Sequence, residues 1–200
     1  MTDKPLKIVI EAVLFAANYP LAIDQLQVLF PEDEQPKRAE IRAVLAELQA
    51  DYIERGIELV EVASGYRFQS RQAFSPWIKR LYAQRPPRYS RALLETLALI
   101  AYRQPITRSE IESIRGVSVS SNILKNLKDY QWVRVIGHRE SPGRPALYGT
   151  TRLFLDHFNL KNLEALPTLA ELREMKDLYA EGFEADEVET SDEEGESNES

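Results

Sequence analysis

Apolar and polar positions alternate along this chain in two successive blocks of the same design. In the first block, Leu6, Ile8, Val9, Ile10, Val13, Leu14 and Phe15 place apolar side chains on nearly every side of a helix expected over Leu6–Ala17. A helix on the surface of a domain shows one apolar stripe facing the core. One that is apolar all round is either a central core helix or is covered on a second side by another domain or subunit. A second helix is expected at Ile23–Leu29. A third is expected at Arg38–Glu54, with Ile41, Leu45, Leu48 and Tyr52 at i, i+4, i+7 and i+11 forming its inward stripe. IELVEV (Ile57–Val62) alternates as a strand does, Ser64-Gly65 turns the chain, and Tyr66–Gln69 returns. Ser75-Pro76 then supplies a cap and a first-position proline for a helix over Pro76–Tyr82.

The second block repeats the order with stronger local signals. A helix is expected over Ser90–Tyr102. Thr107 and Glu110 make a capping box, in which the hydroxyl accepts a free amide and the carboxylate reaches back, and Gly116 ends the helix they open. Ser118 or Ser120 opens a third helix, Val119–Tyr130, with Ile123, Leu124, Leu127 and Tyr130 facing inward. Trp132–Gly137 and Ala146–Thr150 are expected strands around the loop His138–Pro145, and Arg152–Phe158 is a closing helix. At an offset of 85 residues Leu14 meets Leu99, Leu21 meets Ile106 and Leu26 meets Ile111, so the chain reads as two copies of one unit.

Three helices followed by a hairpin is the winged-helix order. The expected class is mainly α with small β-hairpins (α+β), built from two tandem winged-helix domains at 4–83 and 90–160. Residues 84–89 (QRPPRY) form a linker, because the Pro-Pro pair resists helix and favours an extended connector. Thr168 and Glu171 suggest a further capping box inside an amphipathic extension, 161–180, with Leu169, Leu172 and Met175 on one side. Residues 181–200 hold too little apolar surface to offset chain entropy and are expected to be a disordered acidic tail.

Charge sharpens this division. The net charge of −7 is set by the ten acidic residues of 181–200; residues 1–180 carry +3, and residues 90–160 alone carry +4. Electrostatics therefore favours the second unit for any contact with nucleic acid. The third helix of the first unit exposes Arg38, Glu40, Arg42, Glu47, Asp51 and Glu54, which repels phosphate as much as it attracts it. That of the second exposes Ser121, Asn122, Lys125, Asn126 and Lys128. Two lysines provide few phosphate contacts, so a weak nonspecific DNA contact is the most this face suggests. A winged-helix DNA-binding transcriptional regulator is the alternative reading of the whole chain.

Catalytic chemistry has little material. There is no cysteine, and His138 and His157 are the two histidines, which leaves no soft-metal set. Asp156 and His157 are neighbours on a helix and are expected as a solvated pair. No Gly-rich phosphate loop occurs, and no cofactor is expected. The N-terminal apolar run is short and carries Glu11, against a secretory leader, and no run approaches a membrane span. A cytoplasmic, non-enzymatic protein is expected. The wing SPGRPALYGTT stands out: Arg and Tyr are favoured interface anchors, and Pro142 and Pro145 present Arg144 and Tyr148 on a stiff loop.

The segments ETLALIAYRQPITRSEIESIRGV (Glu95–Val117), PGRPALYGTT (Pro142–Thr151) and RLFLDHFNL (Arg152–Leu160) closely resemble the segregation and condensation protein B family, as do EAVLFAANYPLAIDQL (Glu11–Leu26) and LEALPTLAEL (Leu163–Leu172). The resemblance implies a homodimer formed through the first domain and binding of the kleisin subunit, segregation and condensation protein A. It also implies indirect association with the structural-maintenance-of-chromosomes ATPase in a nucleoid-associated condensin. Carried onto this chain, it suggests a kleisin surface of Tyr102, Arg103, Gln104, Pro142, Gly143, Arg144, Pro145 and Tyr148. For the dimer, the expectation falls on Leu6, Val9, Ile10 and Val13, on the all-round apolar helix.

Overall fold

Residues 5–81, 89–168 and 171 are described by a computed structural model. Their order is α1 (Leu6–Ala16), α2 (Ile23–Gln27), α3 (Arg38–Asp51), β1 (Ile57–Val62), β2 (Gly65–Ser70) and α4 (Ser75–Leu81). There follow α5 (Arg91–Arg103), β3 (Ile106–Thr107), α6 (Arg108–Arg115), α7 (Ser121–Asp129), β4 (Val133–His138), β5 (Ala146–Thr150) and α8 (Arg152–His157). The class is α+β, as expected: helices with two small antiparallel sheets. Most of the linker and of the amphipathic extension, and all of the acidic tail, lie outside the described residues.

In the first unit, Ile10 and Leu14 of α1, Leu26 of α2, and Ile41, Leu45 and Leu48 of α3 close one core over Leu59 of β1. Each buried Leu or Ile contributes about 2 kcal/mol as an upper estimate. The α1–α3 contact is fixed at its rim by polar groups. Tyr52 Oη donates to Glu11 Oε1 at 2.5 Å, and Lys7 Nζ pairs with Asp51 at 2.7 Å and Glu47 at 3.2 Å. Beside the hairpin, Leu21 and Tyr66 exchange backbone hydrogen bonds of 2.9 Å each, a single-residue third strand. That approach requires glycine at position 65: its φ is +143°, and a Cβ there would stand 2.2 Å from the Leu21 carbonyl oxygen.

The second unit repeats this plan more fully. β3, β5 and β4 form a sheet in that order, with Ile106 opposite Tyr148 and a bulge in β4 between Val135 and Gly137. Its helices are capped by side chains: Ser90, Thr107, Ser120 and Thr151 accept from the amides of Leu93, Glu110, Ile123 and Phe154 at 3.1–3.3 Å. Ser120, not Ser118, opens α7, and Tyr130, expected to face inward, is exposed. Trp132 is buried in an aromatic group with Tyr89, Tyr130, Phe158 and the His157 ring, whose centroid is 4.5 Å away. α8 closes the unit with a Schellman motif. The Leu160 amide donates to the Leu155 carbonyl at 2.8 Å and that of Asn159 to Asp156 at 3.4 Å, with Asn159 at φ 57°.

The expectation that Asp156 and His157 are a solvated pair fails for Asp156. Its side chain is buried and its Oδ1 accepts from the Ser64 amide at 2.9 Å, a residue of the first unit. Sequence neighbours gave no hint of a partner 92 positions away.

Candidate protein-interaction surfaces

The first surface is the outer side of α1. Ile8 and Phe15 are 54% and 75% exposed, Ala12 lies exposed between them, and Tyr19 continues the line just beyond the helix. Ile8, Ala12 and Phe15 fall at i, i+4 and i+7, one helical stripe. Of the expected dimer residues, Ile10 is instead 1% exposed and belongs to the unit's own core. It has no surface left for a partner, because the i±4 row containing Leu6, Ile10 and Leu14 is the one turned inward. Leu6 and Val13 are half-buried against that core, and Val9 is half-buried. The outward stripe is displaced by about half a turn from the expected one.

The second surface joins the two expected kleisin segments in one place. Ile106 pairs with Tyr148, and Gln104 reaches from the end of α5 to β5, where its Oε1 accepts from the Thr150 amide at 2.7 Å. Its Nε2 donates to Thr150 Oγ1 at 2.9 Å. Gln104 is therefore committed to fastening a helix to the sheet. Arg103 is exposed and lines a shallow cleft of about 270 Å³ with Pro105, Ile106, Glu110, Ser113 and Ile114. Tyr102 is 40% exposed.

The wing stands beside this cleft. Ser141 to Arg144 form a turn in which the Arg144 amide donates to the Ser141 carbonyl at 2.9 Å. Pro142 and Gly143, the latter at φ 81°, take its central positions, as a type II turn requires. Arg144 follows at φ 40°, an uncommon conformation for a side-chain-bearing residue, and is exposed, as are Pro142 and Gly143. Pro145 is half-buried and its carbonyl accepts from the Arg139 amide at 2.9 Å. Tyr148 is half-buried in the central strand of the sheet, opposite Ile106 on one side and Val135 on the other.

Glu110 ties the parts together. It closes the Thr107 cap and pairs with Arg139 at the base of the wing at 2.6 Å. Thr107's backbone amide first, then the Arg139 guanidinium and the Thr107 hydroxyl, hold its carboxyl down to about 2. The capping box was legible in the sequence; the link from Glu110 to Arg139, 29 residues on, was not. A further exposed apolar group, Phe74, Trp77 and Leu81, lies on and before α4 and was also missed. Among the described residues no group of three His, Cys, Asp or Glu side chains is placed to hold a metal, and no helix is long and apolar enough to cross a membrane.

A family model for the segregation and condensation complex subunit ScpB matches residues 8–169. The segregation and condensation protein B homolog of Coxiella burnetii is 56% identical over 181 residues, covering 90% of this chain and 87% of its own. The segregation and condensation protein B of Bacillus subtilis is 39% identical over 185 residues, covering 88% and 92%. Among solved structures, ScpB from Mycobacterium tuberculosis is 32% identical and covers 78% of this chain and 95% of that one, with a TM-score of 0.35. A dimer of a ScpB N-terminal domain complexed with a ScpA peptide is 34% identical and covers 39% of this chain and 95% of that one, with a TM-score of 0.35. By the span of the family model and the identity to its relatives, this chain belongs to the segregation and condensation complex subunit ScpB family.

Proposed function

We propose that this chain is a non-catalytic subunit of the bacterial SMC–kleisin condensin. In this reading it dimerises through the outer stripe of α1 and binds the kleisin, segregation and condensation protein A, to support chromosome condensation and segregation during cell division. The SMC ATPase is reached through the kleisin, and the site of action is the cytoplasm, at the nucleoid. The observation that carries the reading is a helix with one apolar stripe in its own core and a second, Ile8, Ala12 and Phe15, left on the surface. Both units are read as winged-helix domains. The helix order followed by a hairpin supports this in each, and the strand order β3-β5-β4 supports it in the second.

The kleisin surface is read as Arg103 with the cleft beside it, Tyr102, and the wing from Pro142 to Pro145. Gln104 and Tyr148 hold that surface in shape. The relative crystallised as an N-terminal-domain dimer with a ScpA peptide supports including the first unit in the kleisin contact as well. Phe15→Asp is expected to convert the dimer to monomers in sedimentation at micromolar concentration, since a charge facing an apolar interface is strongly unfavourable. In a calorimetric titration with segregation and condensation protein A, Arg144→Ala is expected to cost about 2 kcal/mol, roughly thirty-fold in affinity. A monomeric wild-type chain, or no binding of the kleisin by wild type, overturns the proposal.

A further inference from the structure

We infer that the hairpin turn of the first unit and the C-terminal end of α8 form a clasp that sets the angle between the two units. Its hydrogen bonds and ion pair join two short runs, residues 61–67 and 156–161. The Ala63 amide donates to the Leu160 carbonyl at 3.0 Å, and the Ser64 amide to Asp156 Oδ1 at 2.9 Å. One nitrogen of Arg67, Nη2, donates to the Asp156 carbonyl at 2.8 Å and to Asn159 Oδ1 at 2.6 Å. Lys161 pairs with Glu61 at 2.5 Å along the edge.

The two halves are built to meet. The amides of a two-residue hairpin turn point away from their own sheet and ordinarily meet water. Here both Ala63 and Ser64 are satisfied by the other unit. On the opposite side, the Schellman turn at Asn159 bends the chain so that four acceptors converge on the hairpin: Asp156 Oδ1, the Asp156 carbonyl, the Asn159 amide oxygen and the Leu160 carbonyl. Asp156 is 5% exposed. A carboxylate at that depth needs the partner it has.

Two units on one chain are mobile relative to each other by default unless a specific interface holds them. This interface is polar, and it connects α8, which closes the unit bearing the cleft and wing, to β2, which packs on α1. The clasp thus sets the distance from the α1 stripe to the cleft, independently of what either surface binds.

The chain has no cysteine, so a label pair is introduced cleanly at two exposed helical positions, Ala43→Cys on α3 and Lys125→Cys on α7. Spin-labelled chains are diluted into excess unlabelled chain so that only distances within one chain are read by electron double resonance. The wild-type background is expected to give one narrow distance distribution, and Arg67→Ala to lose it for a broad one. Asn159→Gly keeps the left-handed turn, which glycine favours, and removes only the side-chain acceptor. It is expected to broaden the distribution less, and it decides the matter should Arg67→Ala lose its helical circular dichroism. A broad distribution in wild type, or a narrow one in a folded Arg67→Ala chain, overturns the clasp.

Discussion

Shifted by 85 residues, the capping box of the second unit falls on Ala22 and Gln25 of the first. The two sites share backbone geometry and differ in both side chains, Ala22 for Thr107 and Gln25 for Glu110. Thr107 accepts from Glu110's amide at 3.3 Å while Glu110 accepts from Thr107's at 2.9 Å; in the first unit only the return half survives, with Gln25 accepting from the Ala22 amide at 2.8 Å. The same contrast runs through both units. Pro5, Ala22 and Lys37 precede the helices of the first with no side-chain acceptor, whereas Ser90, Thr107, Ser120 and Thr151 cap those of the second. The second unit specifies its helices locally. The first relies on apolar burial, and its first helix carries more apolar surface than its own core uses.

The largest expected losses lie in the two cores. Leu26 and Ile111 occupy equivalent places at offset 85 and are both fully buried. Truncating either to Ala is expected to cost about 3 kcal/mol. Urea unfolding should find the two losses similar; a loss in one unit much below the other would show that the two cores are not equivalent. The caps give a smaller, opposite-signed pair. Thr107→Ala is expected to destabilise by about 1 kcal/mol, and Ala22→Ser, which completes the missing half of the box, to stabilise by a similar amount. Thermal melting by circular dichroism checks both directions.

Acid gives the smallest effect and separates the units by chemistry. Glu110 is held down to about 2 from its ordinary 4.5. A carboxyl lowered in the folded state contributes stability that is present above about pH 4.5 and is lost as the pH falls towards about 2. Gln25, in the equivalent place, does not titrate. Glu110→Gln should therefore lower the melting temperature at neutral pH and lose that difference progressively below pH 4.5. A difference that persists at the acid end would assign the effect to shape rather than charge.

What could be read from the sequence follows the same division. Thr107, Glu110 and Gly116 mark the ends of α6 because capping is a local interaction, complete within a few residues. The direction of α1 was not legible for the opposite reason. When Ile8, Ile10, Val13, Leu14 and Phe15 cover most of a helix, no polar face remains to say which side turns inward. The pattern accordingly puts Ile10 among the interface candidates, whereas it lies in the core. Gln104 and Tyr148 carry the residue types of a binding surface, yet Gln104 bonds to Thr150, 46 residues away, and Tyr148 sits in the middle of a sheet. Those partners are set by the fold, as is the approach of Arg67 to Asp156 across 89 residues.

The two tryptophans fall one to each unit, in opposite surroundings. Trp77 is 63% exposed near the end of the first, and Trp132 is 4% exposed in the second, its ring centroid 4.5 Å from that of His157 and tilted 42° to it. Burial, and then the nearby Arg67 guanidinium, keep His157 below its ordinary 6.5. Its ring therefore remains neutral, and a poor quencher, further into acid than a free imidazole would. The intrinsic emission of this chain is therefore expected to have two separable parts. Exposed Trp77 should contribute a red-shifted component that reports the water around α4. Buried Trp132 should contribute a blue-shifted component whose intensity falls as His157 gains its proton, a built-in optical probe of the second unit that needs no added dye.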